Sequence, residues 1–265
     1  MKRRTAAAIV GLLVVICLVL LLSVAYPFST SEPHAVKDEQ FTAGEGDEYH
    51  VSGAITIDGD EYVVLEEAVV EDGARYQSLT VENVQSVLYQ AGPCEAVYTR
   101  SEYPDELDVD QILERIEERE GQHILRVDRD GEGVVFVTRE ENTDDCEITV
   151  KMTAPVVMDN LRSTNYERVQ ESPEEYIYEP RNGWSDGGYR ITDSSGQVHV
   201  DPDSYTVTAA DVSYTVTPEA ETYVEYLHTS WTTDESFTRG ISYDYTSNNV
   251  SLETPQWVEE IQDAD

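Results

Sequence analysis

Hydrophobic residues in this chain fall into one long run followed by many short ones. The long run extends from Ala6 to Ala25, interrupted only by Gly11 and Ser23. As a helix rising about 1.5 Å per residue it spans roughly 30 Å, the thickness of a bilayer core. A cleavable signal peptide has a shorter apolar stretch, about 7–15 residues, before a small-x-small cleavage site. Ser23-Val24-Ala25 offers small residues at both inspected positions, but the length of the run favours a retained transmembrane helix over residues 6–25. Cys17 follows Ile16, where lipid attachment needs a small residue, so it reads as part of the membrane segment. Lys2, Arg3 and Arg4 precede the run and the next basic residue is Lys37. Positive-inside bias then leaves residues 1–5 as a cytoplasmic stub and places the rest of the chain outside.

The short runs begin after a polar stretch, residues 26–46, that reads as a tether. YHVSGAITI and EYVVLEEAVV alternate as strands and are joined by Asp58-Gly59, a hairpin signal. In TVENVQSVLYQAGP, Val81, Val84 and Leu88 recur at helical spacing and Gly92-Pro93 supplies a stop, which predicts a helix. VDQILERIEERE places Val109, Ile112, Leu113 and Ile116 on one stripe, the clearest helical pattern in the chain. HILRV, VVFVT and CEITVKM read as strands. The stretch from Ala154 to Ser172 looks polar and weakly patterned, and a boundary is expected there. Beyond it, EEYIYE, GYRIT, VHVD, SYTVT, VSYTVT and ISYDY predict sheet, with a helix opening at Thr217-Pro218-Glu219. SYTVT at Ser204 and again at Ser213 suggests two adjacent strands. The expected class is α+β with a single N-terminal transmembrane helix: a mixed domain over 47–153 and a β-rich domain or subdomain over 154–265.

Charge changes the picture of the solvent. The net charge is −37, from 54 acidic and 17 basic residues. Removing the three basic residues of the stub leaves 14 against 54, or −40, on everything after residue 4. Seventeen tyrosines and repeated apolar runs argue against disorder. Only Lys2, Lys37 and Lys151 are lysines. Acid spread over the whole length with lysine scarce resembles the proteins of extreme halophiles, haloarchaeal surface proteins above all. The resemblance lies in composition and implies a salt-loaded setting, not an activity. Repulsion among some 40 charges reaches across a domain where the screening length is about 30 Å, near 0.01 M salt, and shrinks to contact range, about 3 Å, near 1 M. Nucleic acid is excluded as a partner, because phosphate neutralisation needs clustered Lys and Arg outside the stub.

Outside the membrane run, Cys94 and Cys146 form an even pair in an exported chain and are expected to be disulfide-bonded. Closing a loop of about 50 residues contributes roughly 4 kcal/mol in the chain-entropy account. In DRDGEG, Asp128, Asp130 and Glu132 stand at positions 1, 3 and 5 of a calcium loop with Gly133 at position 6, but position 12 is Arg139 and both flanks are strand-like. A hairpin turn accounts for the motif better than calcium, and no other cofactor is expected. His199 and Asp201 share a face of a strand, a weak metal pair. Trp184, Trp231, Trp257 and ten tyrosines from Tyr166 onward either fill strand faces or form a platform for a sugar or protein. Asn249-Val250-Ser251 is a glycosylation sequon. A nucleophile elbow, a His-Glu-x-x-His motif and a two-cysteine metal spacing are all missing from the sequence, and no catalytic residue stands out.

The pattern therefore predicts a single-pass surface protein, bound to the lipid bilayer through residues 6–25, acting as a non-catalytic binding or assembly module toward a surface protein or glycan. The alternative is a secreted or tethered hydrolase with a carboxylate-based site.

Overall fold

The computed structural model describes residues 41–44, 46–104, 107–119, 121–129, 133–141, 153–184, 190–217, 236–247 and 250–263, together with Leu18, His228 and Thr232. These form thirteen strands and three short helices. The strands are β1 (Tyr49–Ile57), β2 (Asp60–Val69), β3 (Arg75–Val81), β4 (Val84–Gln90), β5 (Val97–Pro104), β6 (Gln122–Arg129), β7 (Gly133–Glu140), β8 (Asn165–Glu171), β9 (Tyr176–Arg181), β10 (Gly183–Trp184), β11 (Arg190–Val200), β12 (Val207–Thr217) and β13 (Phe237–Thr246). The helices are α1 (Val109–Glu117), α2 (Ala154–Leu161) and α3 (Gln256–Gln262). The strands make one sheet in the order β6-β7-β5-β4-β3-β2-β1-β13-β12-β11-β9-β8, with β10 beside β11. Every paired strand is antiparallel to its neighbours.

This overturns the α+β expectation: the protein is mostly antiparallel sheet. Among the described residues no helix is long and apolar enough to cross a membrane. The transmembrane helix expected over residues 6–25 lies outside them, apart from Leu18. The helix predicted over residues 80–93 is instead the β3–β4 hairpin, with Val81 opposite Val84 across Glu82-Asn83 and Glu82 at a φ of 54°. Three apolar residues at helical spacing were outweighed by the alternation of Val84–Gln90, which buries Val87 and Tyr89 on one face. The helix expected from Thr217 lies outside the described residues. The two SYTVT runs are not neighbouring strands: Ser204 sits in the turn before β12, and Ser213–Thr217 is the far end of β12 itself.

Other elements follow from their local chemistry. Asp58 and Gly59 both take positive φ, 54° and 91°, the two-residue turn that matches strand twist. Asp108 caps α1, accepting from the Gln111 N–H at 3.2 Å, and Val109 and Ile116 are buried. The expected polar stretch begins with α2, where Ala154, Val157, Met158 and Leu161 are all fully buried at i, i+3, i+4 and i+7. Three of those are large, and at about 1.5–3 kcal/mol each they contribute roughly 6 kcal/mol of burial.

α2 lies on one face of the sheet, here the inner face, against β1 and β13. Gly53 of β1 is what lets it approach: a Cβ there would stand 3.2 Å from the Val157 Cγ2 and 3.2 Å from the Ser242 carbonyl oxygen. The inner-face core runs through both halves of the chain, joining Val51, Leu65, Tyr166, Tyr178, Val212 and Ile241. Phe41, 1% exposed, docks into it edge-on to Tyr166 and Tyr178, with ring centroids at 5.1 and 5.4 Å. Its carbonyl accepts from Arg162 Nε at 2.9 Å. Phe41–Gly44, within the expected tether, is thus part of the folded unit. The opposite, outer face is covered near β4 and β6 by the C-terminal segment. There the Tyr89 hydroxyl meets Thr254 Oγ1 at 3.0 Å, Arg126 reaches Glu260 at 3.7 Å, and Val258 of α3 is fully buried.

Candidate functional site

The outer face of β9, β11, β12 and β13 holds a groove of about 740 Å³. Strand alternation builds it. His199 on β11 lies opposite Ala209 on β12, which lies opposite Asp244 on β13, and the next row brings Gln197, Asp211 and Ser242 together. Ala209 and Gly196 leave the floor low, while Glu179, Gln197 and His199 stand along one wall. β11 bends here: its register with β12 shifts between Thr192 and Ser195, with Asp193 and Gly196 at φ of 51° and 102°.

Two hydrogen bonds stiffen that wall. His199 Nδ1 and Glu175 Oε1 are 2.8 Å apart, both side chains about one-third exposed, and Gln197 Nε2 donates to Glu179 Oε1 at 3.2 Å. With Asp211 and Asp244 on the far side, the groove is a field of acceptors around one imidazole. It suits hydrogen-bond donors and cationic groups. No hydroxyl or thiol among the described residues bonds to the His199 ring, and the Ser194 hydroxyl donates to the Pro180 carbonyl at 3.0 Å instead.

Sequence had paired His199 with Asp201, and the structure separates their roles. Asp201 closes the β11–β12 turn, its Oδ1 accepting from the Ser204 N–H and hydroxyl, both at 2.8 Å, and from the Asp203 N–H at 3.0 Å. Those bonds, led by the Ser204 N–H, hold its carboxyl below the usual range. Asp128 lies at the end of β6 and pairs with Arg126 at 2.6 Å, whereas Asp130 and Glu132 lie outside the described residues. No group of three metal-ligating side chains occurs among the described residues. Cys94 is exposed in the segment before β5, and Cys146 lies outside the described residues, as does Asn249. Of the aromatics, Tyr166, Tyr178, Tyr214 and Tyr243 fill the core rather than a platform. Trp231 lies outside the described residues.

A second polar centre, which sequence reasoning missed, lies on the inner face. Glu67, 4% exposed, accepts the Tyr49 hydroxyl through Oε1, and through Oε2 the Thr153 N–H at 3.0 Å and Thr153 Oγ1 at 3.3 Å. Gln77 Nε2 donates to Thr153 Oγ1 at 2.8 Å. The carboxylate thus sits at the N-terminus of α2, whose backbone N–H groups and dipole favour an anion. Burial first, then the bond to Glu67 and its charge, push the Tyr49 phenol well above its ordinary pKa. The cluster pins helix to sheet and leaves no atom facing a substrate. A signal existed: in EYVVLEEAVV, Glu67 falls in step with Val63, Leu65 and Val69, a carboxylate at a core-facing position.

Compared with known proteins, the chain matches no family model and no curated protein.

Proposed function

We propose that the protein is a non-catalytic binding or assembly module displayed on the outer side of a cell membrane in concentrated salt, with the apolar segment 6–25 in the bilayer. The observation that carries this reading is where the acids sit. Among the described residues Glu67 is the one buried carboxylate, and its oxygens are taken by Tyr49 and Thr153. The others are at the surface, where they hold water and ions rather than form a secluded acid–base pair. The outer groove, broad and floored by small residues, suits recognition of a partner at the surface.

The alternative, a secreted or tethered hydrolase, draws on the His199–Glu175 pair. Cross-linking on intact cells in molar salt separates the two, with wild type compared to Ala209→Arg, which fills the groove floor from an alternating strand position. The expected result is a saturable surface partner lost in the variant at unchanged thermal stability. Release of product from a polysaccharide or peptide by the purified chain, abolished by His199→Ala, would overturn the reading.

A further inference from the structure

A second cavity, of about 560 Å³, lies between α1 and the inner face of β5–β7. Its volume is in the range of small-molecule sites, and its chemistry differs from that of every other surface described. The floor is aromatic: the Tyr103 and Phe136 rings stack, 9° apart in plane with centroids at 5.4 Å, so Phe136, 2% exposed, backs the half-buried Tyr103 ring, which forms a flat plate. Around the plate stand polar groups that water reaches poorly. Ser101 and Thr138 are 6% and 2% exposed. Gln122 has its Oε1 buried with no hydrogen-bond partner, and its Nε2 is 3.4 Å from Thr138 Oγ1, a weak bond. A buried amide oxygen without a donor costs about 1–3 kcal/mol unless a ligand supplies one.

Over this plate α1 presents Arg115, and Arg119 follows from the turn after it. Arg115 Nη2 donates to Gln111 Oε1 at 2.6 Å, which holds the guanidinium along the helix. Only 14 basic residues follow the stub, against 54 acids, so two at one cavity stand out from the prevailing charge. In molar salt the screening length is about 3 Å, so the surrounding negative field does not reach into the cavity and only direct ion contacts count. Guanidinium groups make such contacts with carboxylates in bidentate geometry.

We infer that the cavity beneath α1 binds an acidic saccharide, with a sugar ring lying on Tyr103, which Phe136 backs, and carboxylates on Arg115 and Arg119. A pyranose ring has an apolar face for the plate and hydroxyls at its rim for Gln122 Oε1, Ser101, Thr138 and the Glu140 carboxylate that also lines the cavity. An acyl chain would leave those polar groups unpaired, and a neutral sugar would leave the arginines unused. The inference rests on the reading of the protein as a binding module and names a ligand class for it.

The test is a calorimetric titration of the full chain in detergent, in molar salt, with an oligogalacturonate, an uncharged oligosaccharide of equal length and an oligoglutamate as probes. Saturable binding of the oligogalacturonate is expected, with the other two probes roughly tenfold or more weaker. The double variant Arg115→Gln, Arg119→Gln, on exposed positions, is expected to weaken the acidic sugar at least about tenfold at an unchanged unfolding midpoint. Tyr103→Ser is expected to weaken both sugars together. Binding unaltered by the arginine pair, oligoglutamate bound as tightly as the sugar, or no saturation at millimolar oligogalacturonate would each overturn it. Such a failure with cross-links through the outer groove intact removes the ligand class alone. Loss of those cross-links as well removes the binding-module reading.

Discussion

Replacing Glu67 by alanine tests how the helix and sheet are joined. The substitution strands a buried donor, the Tyr49 hydroxyl, and a partly buried one, the Thr153 N–H, at about 1–3 kcal/mol each. It also takes the anion from the start of α2, worth roughly 0.3–1 kcal/mol. The expected loss is about 3–5 kcal/mol, a large share of the 5–15 kcal/mol typical of a domain. Glu67→Gln should behave differently. The Tyr49 hydroxyl can turn to accept from the new amide while the amide oxygen keeps both Thr153 bonds, so charge is the main loss and the cost falls to about 1 kcal/mol. Tyr49→Phe leaves a charged oxygen short of a donor and is expected between the two, at about 1.5–3 kcal/mol. Urea unfolding in molar salt, followed by circular dichroism, reads these differences. With a urea slope near 2 kcal/mol per molar, Glu67→Ala should lower the midpoint by about 2 M and Glu67→Gln by about 0.5 M. Equal midpoints for the two, or an alanine variant that unfolds with wild type, would refute the capping account.

Three further outcomes follow from the same structure. Lowering salt from about 1 M to 0.01 M lengthens the screening distance about tenfold, so the folded region should lose its sheet signal; circular dichroism unchanged across that range contradicts salt-dependent folding. Tyr243 is raised to about 12, chiefly by burial, so its native state prefers the neutral phenol. Stability should be full below pH of about 10, the unfolded value, and fall as pH rises from there through the native one, by roughly 3 kcal/mol from this group; Tyr243→Phe should flatten the slope in that window, and an unchanged slope is the opposing result. Phe41→Ala should cost about 3–5 kcal/mol in the same urea assay, whereas a loss under about 1 kcal/mol would mean that Phe41–Gly44 is not part of the fold.

What the sequence shows and hides divides along the range of the interactions. The β1–β2 hairpin is legible because Asp58-Gly59 is a local signal flanked by clean alternation, and α1 because four apolar residues sit on one stripe above an Asp cap. The β3–β4 hairpin is not, because Val81, Val84 and Leu88 satisfy both periods and only the pairing of Val84–Gln90 with β3 and β5 decides between them. α2 is hidden for a different reason. It is only eight residues long, and its four buried positions gain their meaning from Gly53 and the inner face across the chain. His199 was visible as a lone imidazole, but its partner Glu175 comes from β9 through a strand register that no local pattern encodes. Tyr103 and Phe136 are brought together by the pairing of β5 with β7, so the cavity beneath α1 could not be read from spacing.

The display of this module at a membrane is tested most directly by the intact mass of a C-terminally tagged chain, taken separately from the membranes and the medium of cells grown in high salt. The account predicts the full-length mass in the membrane fraction, with the segment from Ala6 to Ala25 still attached. A mass beginning at Tyr26, found in the medium, would contradict it and make the protein a secreted one.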